Sequence, residues 1–267
     1  MEDIAVNGLV IREVQVGEAD KLITLLTPDL GKVAASVRGA FSLRNRNAAS
    51  SQLLTYSGFI LRKKGERFYV RESSYIENFM NIRYDLERLA LANYICDVAY
   101  DTATEQDRNP ELVQLVLNTL YALSEKQEIP VAKVKGAFEF RLAVQEGFMP
   151  DLSGCGKCGG DPDEKGFGKY VLDVMEGMIL CRDCMEDRKE LLPGDGGYAG
   201  IYVPLSGGVL RALRYLEEAE PRRFLSFPIE DRELKEFGNV CEKYLLNHLG
   251  HGYQSLDYYR KICIEKR

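Results

Sequence analysis

The sequence predicts an α+β protein: an N-terminal β-barrel of the OB type, then a helical bundle with an inserted four-cysteine zinc ribbon. Residues 1–80 alternate apolar and polar side chains with the period of two that half-buried strands show, whereas the chain after Tyr84 takes up the helical period. Between the third and fourth predicted helices, two Cys-x-x-Cys pairs interrupt the helical pattern. These observations define the predicted architecture.

The first 80 residues contain five short runs with strand character. The run LVIREVQV, residues 9–16, alternates as a half-buried strand requires. KLITLLT and KVAASVRG follow on either side of a Pro-Asp-Leu-Gly turn, and two more runs flank Lys64-Gly65-Glu66. Five strands joined by tight turns favour a closed OB-type barrel, with a small open sheet or an SH3-like barrel as the alternative.

Five later segments have apolar residues at helical spacing. Pro110 suits the first position of the second helix, and Ser206 suits the N-cap of the fourth. The fifth, residues 231–249, carries a clean apolar stripe. We therefore expect an OB-fold domain at 1–80, a helical domain in two parts at 81–150 and 191–267, and a zinc-binding module at 151–190.

The two cysteine pairs are separated by 22 residues, a gap slightly longer than that of the usual four-cysteine zinc site. The segments KYVLDV and GMILC are expected to fill this gap as a hairpin that joins the two pairs. The expected ligands are Cys155, Cys158, Cys181 and Cys184. Each pair supplies two sulfurs to the tetrahedron that Zn²⁺ prefers, and four thiolates leave no position for water or substrate. We therefore expect one structural Zn²⁺ that stabilises the module. The alternative is a redox dithiol, although neither pair has a thioredoxin-like surrounding sequence.

Composition excludes several classes of protein. No run approaches 18 apolar residues, so no membrane-spanning segment is expected, and the acidic first residues lack a signal-peptide pattern. Seven cysteines without an export signal indicate a cytoplasmic protein. Candidate catalytic groups are scarce: His248 falls on an apolar stripe, His251 at a helix end, and the glycine pairs lack the lysine of a phosphate-binding loop. We expect no enzyme activity.

The charge of the chain is unevenly distributed. The net charge is −6 overall, but residues 31–71 carry +8 and the remainder carries −14. The basic residues of this stretch are Lys32, Arg38, Arg44, Arg46, Arg62, Lys63, Lys64, Arg67 and Arg71. Cations interleaved with aromatic rings are typical of nucleic-acid binding, with Tyr56 and Tyr69 as the candidate stacking residues. The alternative is a solvated basic face whose neighbouring rings fill the barrel.

The order of barrel, helical bundle and inserted cysteine pairs resembles the RecO family of recombination mediators and DNA repair proteins. Three phrases carry the same resemblance: GEADKLITLLTPDLGKVAASVRGA in the barrel, FEFRLAVQEGFMPDLSGCGKCG before the metal site, and PLSGGVLRALRYL after it. Arg38 before a glycine matches the family's Lys/Arg-Gly pattern, and Arg44 and Arg46 are the further basic groups of the loop that follows. Some members lack the cysteines, which agrees with a structural role for zinc.

The resemblance implies a protein that binds single- and double-stranded DNA and anneals complementary strands. It also implies action with RecR to load RecA onto DNA covered by single-strand binding protein. The acidic, apolar C-terminal tail of that last protein is then expected to contact the helical domain. The third helix places charge beside apolar surface for such a peptide, at Lys133, Lys135, Phe138 and Arg141.

Three other interpretations of these residues stay open. In the first, the third helix buries its apolar stripe and exposes its lysines to solvent, and the tail of single-strand binding protein binds elsewhere. In the second, the whole chain is a zinc-ribbon scaffold for protein interactions, and its basic barrel binds an acidic protein or RNA. An enzyme acting on nucleic acid is the third possibility. Salt-dependent binding to single-stranded oligonucleotide separates the first function from the scaffold.

Overall fold

The computed structural model describes residues 3–42, 44–162, 170–190 and 200–265. The chain divides into two compact units, one formed by Met1–Glu128 with Tyr253–Arg267 and the other by Ile129–Gly252. The first unit contains a β-barrel and the second contains a smaller sheet, each accompanied by helices. The predicted α+β architecture, with a barrel first and the cysteine module inserted among later helices, is confirmed.

Five strands close the barrel in the order β1-β2-β3-β5-β4. They are β1 (Asp3–Val16), β2 (Asp20–Thr27), β3 (Gly31–Val37), β4 (Tyr56–Lys64) and β5 (Arg67–Glu77). All neighbouring pairs are antiparallel except β3 and β5, which run parallel. Because β1 also pairs with β4, the sheet closes on itself and leaves no free edge in this ring of strands.

The alternation of the strands determines which side chains fill the barrel. Ile23, Leu25, Phe59 and Leu61 are buried in its interior, and Phe68 packs against them. Burial of such side chains contributes about 1.5–3 kcal/mol each. Phe59 and Phe68 are therefore core residues. For these two rings, the structure agrees with the alternative that aromatic side chains near the basic residues fill the barrel.

The turn between β2 and β3 requires a glycine. Gly31 has φ +58°, and a Cβ atom built there would lie 2.1 Å from the carbonyl oxygen of Thr104. Thr27 supports the turn, because its hydroxyl donates to the Gly31 carbonyl and accepts from the Leu30 N–H. The backbone of residues 104–107 approaches this closely because position 31 carries no side chain.

The first unit continues as a 3-10 helix (Met80–Tyr84) and the helices α1 (Leu86–Thr102), α2 (Pro110–Glu125) and α7 (Gln254–Glu265). Asp85 caps α1 by accepting from two backbone N–H groups, and Asn109 caps α2. Pro110 occupies the first turn of α2, as predicted. Helix α7 was not predicted. Tyr253 precedes it, and the Tyr253 hydroxyl donates to Asp101 of α1 at 3.0 Å.

The second unit contains the helices α3 (Val131–Gln145), α4 (Arg182–Glu190), α5 (Gly207–Glu218) and α6 (Asp231–Leu249). Its sheet has the order β6-β8-β7-β9, formed by β6 (Asp151–Cys155), β7 (Tyr170–Asp173), β8 (Met178–Cys181) and β9 (Tyr202–Leu205). The predicted bounds of α6 and the Ser206 cap of α5 agree with the structure. Strands β7 and β8 form the hairpin expected between the cysteine pairs.

Helices α3 and α6 pack closely because α3 has a glycine at the contact. A Cβ atom on Gly136 would lie 2.6 Å from the Phe237 ring of α6, so position 136 has no room for a side chain. This division of the chain groups α1, α2 and α7 with the barrel, whereas the sequence analysis placed them in one helical domain with the later helices. Within the described ranges, no helix has both the length and the apolar character needed to cross a bilayer.

Candidate nucleic-acid interface and metal centre

The nine basic residues of the 31–71 stretch fall into two groups. Six have exposed side chains and no acidic partner within salt-bridge distance among the residues that the structure describes: Arg38, Arg44, Arg46, Lys63, Lys64 and Arg67. The other three, Lys32, Arg62 and Arg71, are bonded to protein groups. We call the six unpaired cations, together with Tyr69, the basic face.

The alternation of β5 positions one part of the basic face. Phe68 and Val70 point into the barrel, so Arg67 and Tyr69 point outward. Lys64 lies opposite Arg67 across the β4–β5 hairpin. The tip of this hairpin therefore carries several exposed cations on the outer surface, in the loop between the fourth and fifth strands that many OB folds use for nucleic acid.

The parallel pairing of β3 and β5 brings Arg38 to the same place. Ser36 lies opposite Tyr69, and Arg38 follows two residues later, directly after the end of β3. The Arg38 guanidinium lies 5.0 Å from the centroid of the Tyr69 ring, within the range of a cation–π contact. A flat ring and a permanent cation therefore share one point of the outer surface.

Two asparagines hold the loop after Arg38 against the barrel. The Asn45 side-chain amide donates to the carbonyl of Arg38 at 2.8 Å and to that of Gly39 at 2.9 Å. Asn47 accepts from the Ser73 N–H at 2.9 Å and donates to the Arg71 carbonyl at 3.3 Å. Arg44 and Arg46 are adjacent in sequence to these anchors. Neither asparagine was among the predicted site residues, although the segment RNRN alternates them with Arg44 and Arg46.

Lys32 does not belong to the basic face. Its amino group donates to the carbonyl of Tyr100 in α1 at 2.7 Å and lies 4.3 Å from the centroid of that ring. Arg38 is six positions further along the chain, which at the rise of an extended strand is a distance of roughly 20 Å. Lys32 therefore connects the barrel to α1 within the first unit.

Tyr56 also lies away from the basic face. It begins β4, six residues before Arg62, and so is roughly 20 Å away along the strand. Tyr56 is half-buried, and burial raises the pKa of its hydroxyl, with a further increase from Asp29. Of the two candidate stacking residues, the structure brings only Tyr69 together with the unpaired cations.

Arg62 and Arg71 share one carboxylate, Asp3 of β1. Arg62 donates through two nitrogens at 2.9 and 3.2 Å, and Arg71 donates to the second oxygen at 2.5 Å. These hydrogen bonds, led by that of Arg62, lower the pKa of Asp3 to about 2. The carboxylate therefore stays ionised and paired at any physiological pH. Nothing in the sequence of the basic stretch indicated this acidic partner.

The four cysteines of the predicted metal site converge. Their sulfurs all lie within 4.8 Å of one another, and the Sγ atoms of Cys158 and Cys181 are 3.8 Å apart. Four sulfurs at about 2.3 Å from a tetrahedral ion are about 3.8 Å from one another, so this separation fits a metal. The N–H of Cys181 donates to the Cys155 sulfur at 3.3 Å, as it would to a thiolate. These cysteines can therefore hold a metal ion.

The thiols have different electrostatic surroundings. Burial raises the pKa of Cys155, but the N–H groups of Cys181, Cys158 and Lys157 outweigh this effect and bring it to about 6. Burial raises the pKa of Cys184 to about 12, and the neighbouring sulfurs add to the increase. A divalent ion favours the thiolate at both positions because it supplies the positive charge that the cluster lacks.

Two of the residues predicted to bind a peptide are buried in the second unit. Phe138 is 0% exposed, inside the core formed by α3. The buried Lys135 amino group lies 2.7 Å from Glu139 and 2.7 Å from Glu242. Burial alone lowers the pKa of Lys135, but the two carboxylates raise it above its ordinary value. These two side chains hold α3 in place and are not available at the surface.

Lys133 and Arg141 are half-buried and donate to backbone carbonyls. The Lys133 amino group donates to the carbonyl of Phe227 at 2.6 Å and lies 4.4 Å from the centroid of its ring. Arg141 donates to the carbonyls of Leu216 and Glu217 at 2.7 and 3.0 Å. The structure therefore places all four predicted residues against neighbouring elements, and only these two keep partial access to solvent.

Comparison with known families agrees with this arrangement. The family model described as "Recombination protein O N terminal" matches residues 1–79, and that described as "Recombination protein O C terminal" matches residues 83–257. The chain belongs to the RecO family. The resemblance found in the sequence is confirmed, and the RecO family is one of DNA repair and recombination proteins. The basic face lies within the region matched by the N-terminal RecO model.

Relatives named DNA repair protein RecO extend along most of the chain. The protein of Acetivibrio thermocellus is 33% identical over 98% of both chains. That of Symbiobacterium thermophilum is 30% identical over 90% of each, and that of Dehalococcoides mccartyi is 27% identical over 81% of this chain and 79% of its own. The similarity to RecO proteins therefore includes both compact units.

Proposed function

We propose that this RecO family member binds single- and double-stranded DNA through the basic face and anneals complementary strands. With RecR, it loads RecA onto DNA covered by single-strand binding protein. The observation that carries the proposal is the set of six exposed cations without an acidic partner in the described structure, one of which, Arg38, lies over the Tyr69 ring, on a chain whose net charge is −6.

The basic face suits a nucleic-acid backbone because its cations are not neutralised by the protein. Each phosphate contact to a single strand releases counterions and adds about 0.7 to the slope of log affinity against log salt. Six such contacts correspond to a slope of up to about 4. Tyr69 adds a surface for base stacking, which contributes about 1–3 kcal/mol per base.

Annealing follows from the same charges. Two complementary strands repel each other through their phosphates, and a cationic surface that neutralises one strand lowers this repulsion for the second. The reaction requires no bond to be made or broken in the DNA backbone. We therefore propose a non-enzymatic role in the cytoplasm.

We propose that the metal at the four cysteines is a single Zn²⁺ held by Cys155, Cys158, Cys181 and Cys184. It links the end of β6, the end of β8 and the start of α4, three short elements with few core residues of their own. Zinc bound by four thiolates supplies folding energy and has no open coordination position. Its proposed role is to hold this module together.

The C-terminal tail of single-strand binding protein is proposed to bind the second unit near Lys133 and Arg141. Both cations donate to neutral carbonyls, and a peptide carboxylate makes a stronger, charge-assisted hydrogen bond with the same donors. Lys135 and Phe138 support the helix from within. The mixture of partly exposed cations and adjacent apolar side chains is what supports this proposal.

The DNA-binding proposal is tested by fluorescence anisotropy with a labelled single-stranded oligonucleotide at several salt concentrations. The triple variant Arg38→Ala/Arg44→Ala/Arg46→Ala should lower the slope by about 2 and weaken binding to every sequence. The control Arg108→Ala/Arg232→Ala/Arg260→Ala removes three exposed arginines that each have an acidic partner. Equal effects of the two triple variants would place the DNA elsewhere, and feeble wild-type binding would favour a scaffold for acidic proteins.

A further inference from the structure

The trio of Asp3, Arg62 and Arg71 has the geometry of an oxyanion site. Two guanidinium groups from adjacent strands converge on both oxygens of one carboxylate. Arg62 contacts it through a parallel pair of N–H groups, which is also how arginine recognises a phosphate group. The Asp3 carboxylate therefore occupies the position that a phosphodiester oxygen pair would take between the same donors.

This site is continuous with the basic face. Arg62 lies directly opposite Tyr69 across β4 and β5, and Arg71 follows Tyr69 by two residues on the same outer side of β5. The carbonyl of Arg71 also accepts from Asn47, in the loop that carries Arg46. A strand that contacts Tyr69 and Arg38 is therefore next to both arginines.

The contact between Asp3 and the arginines can be exchanged. All three side chains keep access to solvent, with exposed fractions of 30% for Asp3, 42% for Arg62 and 48% for Arg71. Ion pairs at such positions contribute little to stability, because water and salt screen them and their side chains are mobile. The exposed Glu72 also lies 3.4 Å from the Arg71 Nε, so the two arginines are formally balanced by two carboxylates. An anion therefore gains both arginines only by exchanging with Asp3.

We propose that Arg62 and Arg71 form a phosphate-binding subsite of the DNA interface and that Asp3 fills it in the free protein as an internal substitute for phosphate. DNA must displace the Asp3 carboxylate to use the subsite. The affinity of the wild-type protein for DNA is therefore lower than its cations allow. This inference rests on the DNA binding proposed above.

The test compares Asp3→Asn with Glu66→Gln. Each variant removes one negative charge from the basic region, but Glu66 is an exposed residue of the β4–β5 turn with no bonded partner in the described structure. Only Asp3→Asn removes the carboxylate that the two arginines share; Arg71 keeps its ion pair with the exposed Glu72, whose carboxylate oxygen lies 3.4 Å from the Arg71 Nε. At about 0.1 M salt Asp3→Asn should bind a single-stranded oligonucleotide about 5- to 25-fold more tightly, with a slope steeper by about 0.7–1.4 for one or two added contacts.

The origin of the gain is tested by adding Arg62→Ala/Arg71→Ala in both backgrounds. The pair should abolish the gain of Asp3→Asn and should cost less affinity in the wild-type background, where Asp3 competes. Asp3→Ser, which also lacks the carboxylate, repeats the measurement, and thermal unfolding identifies any variant that is not folded.

The possible failures are distinguishable. If wild type does not bind oligonucleotide, the proposed function fails. If wild type binds but Asp3→Asn and Asp3→Ser match Glu66→Gln in affinity and slope, the masked subsite is overturned. Weaker binding by folded Asp3 variants would overturn it as well, because Asp3 would then position the arginines for DNA instead of competing with it.

Discussion

The guanidinium carbon of Arg38 lies 5.0 Å from the centroid of the Tyr69 ring. Arg38 directly follows β3, and Tyr69 belongs to β5, which pairs with β3 in parallel. Within this barrel, β3 and β5 are the one pair of neighbouring strands that runs parallel. Their pairing puts a permanent cation and an aromatic ring on one spot of the outer surface. The contact therefore depends on closure of the barrel and not only on the two residues.

Replacing Tyr69 by leucine should weaken binding to single-stranded DNA, because an aliphatic side chain offers no surface for base stacking. The expected loss is about 5- to 150-fold, from a stacking contribution of about 1–3 kcal/mol. Tyr69→Phe keeps the ring and should bind like wild type. Anisotropy titration of both variants decides the question, and equal losses would show that the hydroxyl, not the ring, matters.

Replacing the exposed Cys158 by serine should release the metal, because three thiolates bind Zn²⁺ more weakly than four. Wild-type protein purified under reducing conditions should contain about one zinc per chain by elemental analysis. Cys263→Ser, on α7 and outside the cluster, is the control and should keep its zinc.

The same cysteine variant has a predicted structural effect. Limited proteolysis should cut Cys158→Ser more readily within residues 151–190, while binding to DNA by the barrel stays close to that of wild type. Absence of zinc from carefully purified wild type would contradict the assignment of the metal.

Replacing Lys135 by methionine should destabilise the second unit strongly. The substitution leaves Glu139 and Glu242 beside each other without their cation, and removal of one partner of a buried ion pair costs about 3–5 kcal/mol. Chemical denaturation monitored by circular dichroism measures the loss. Lys243→Met, at an exposed position of α6, should change stability by less than about 0.5 kcal/mol. A small effect at position 135 would mean that the carboxylates accept protons at little cost.

Glu217 should make stability depend on pH. Burial raises its pKa to about 7, with opposition from Arg214 and further increases from Glu218 and Asp151. One of its oxygens is buried with no hydrogen-bond partner among the described residues. A carboxyl group whose pKa is raised by folding favours the folded state while it is protonated. Its contribution is therefore full below about pH 4.5 and disappears as the pH rises through about 7.

Glu217→Gln removes this dependence. At pH 8 the variant should be more stable than wild type by about 1–2 kcal/mol, after allowance for solvent screening of a half-buried group. At pH 4.5 the two proteins should be similar. Glu218→Gln, an exposed neighbour, is the control. Denaturation at both pH values tests the sign, and a gain in stability at pH 4.5 alone would contradict it.

The sequence predicted local structure well because its signals are local. Pro110 begins a helix and Ser206 caps one, since each acts on backbone groups within a few residues. The cysteine pairs converge because a Cys-x-x-Cys turn positions two sulfurs and the β7–β8 hairpin returns the second pair. Five strand-like runs joined by tight turns favoured a barrel, although residues 9–16 do not alternate in burial: residues 9–11 are buried and residues 12–16 are exposed.

The composition of the candidate site was less predictable because it depends on how distant strands are arranged. A linear window grouped Lys32 with Arg38, but Lys32 lies near the start of β3 and Arg38 follows the end of that strand. Asp3 lies outside that window and reaches Arg62 only through the pairing of β1 with β4. Helix α3 has apolar residues around most of its girth, so its pattern did not show that Phe138 would be covered.

Helix α7 has a consequence for the order in which the protein is made. It belongs to the first compact unit, yet it is encoded after residue 253, beyond the entire second unit. The ribosome synthesises residues 129–252 after most of the first unit and before α7. The second unit can therefore fold before the last helix of the first unit has been made. The barrel can close early, but the face of α1 that receives Tyr253 stays uncovered until translation has passed that residue. In a nascent chain, this surface of α1 therefore stays exposed while the whole second unit is synthesised. Exposed apolar surface of this kind is a contact site for chaperones.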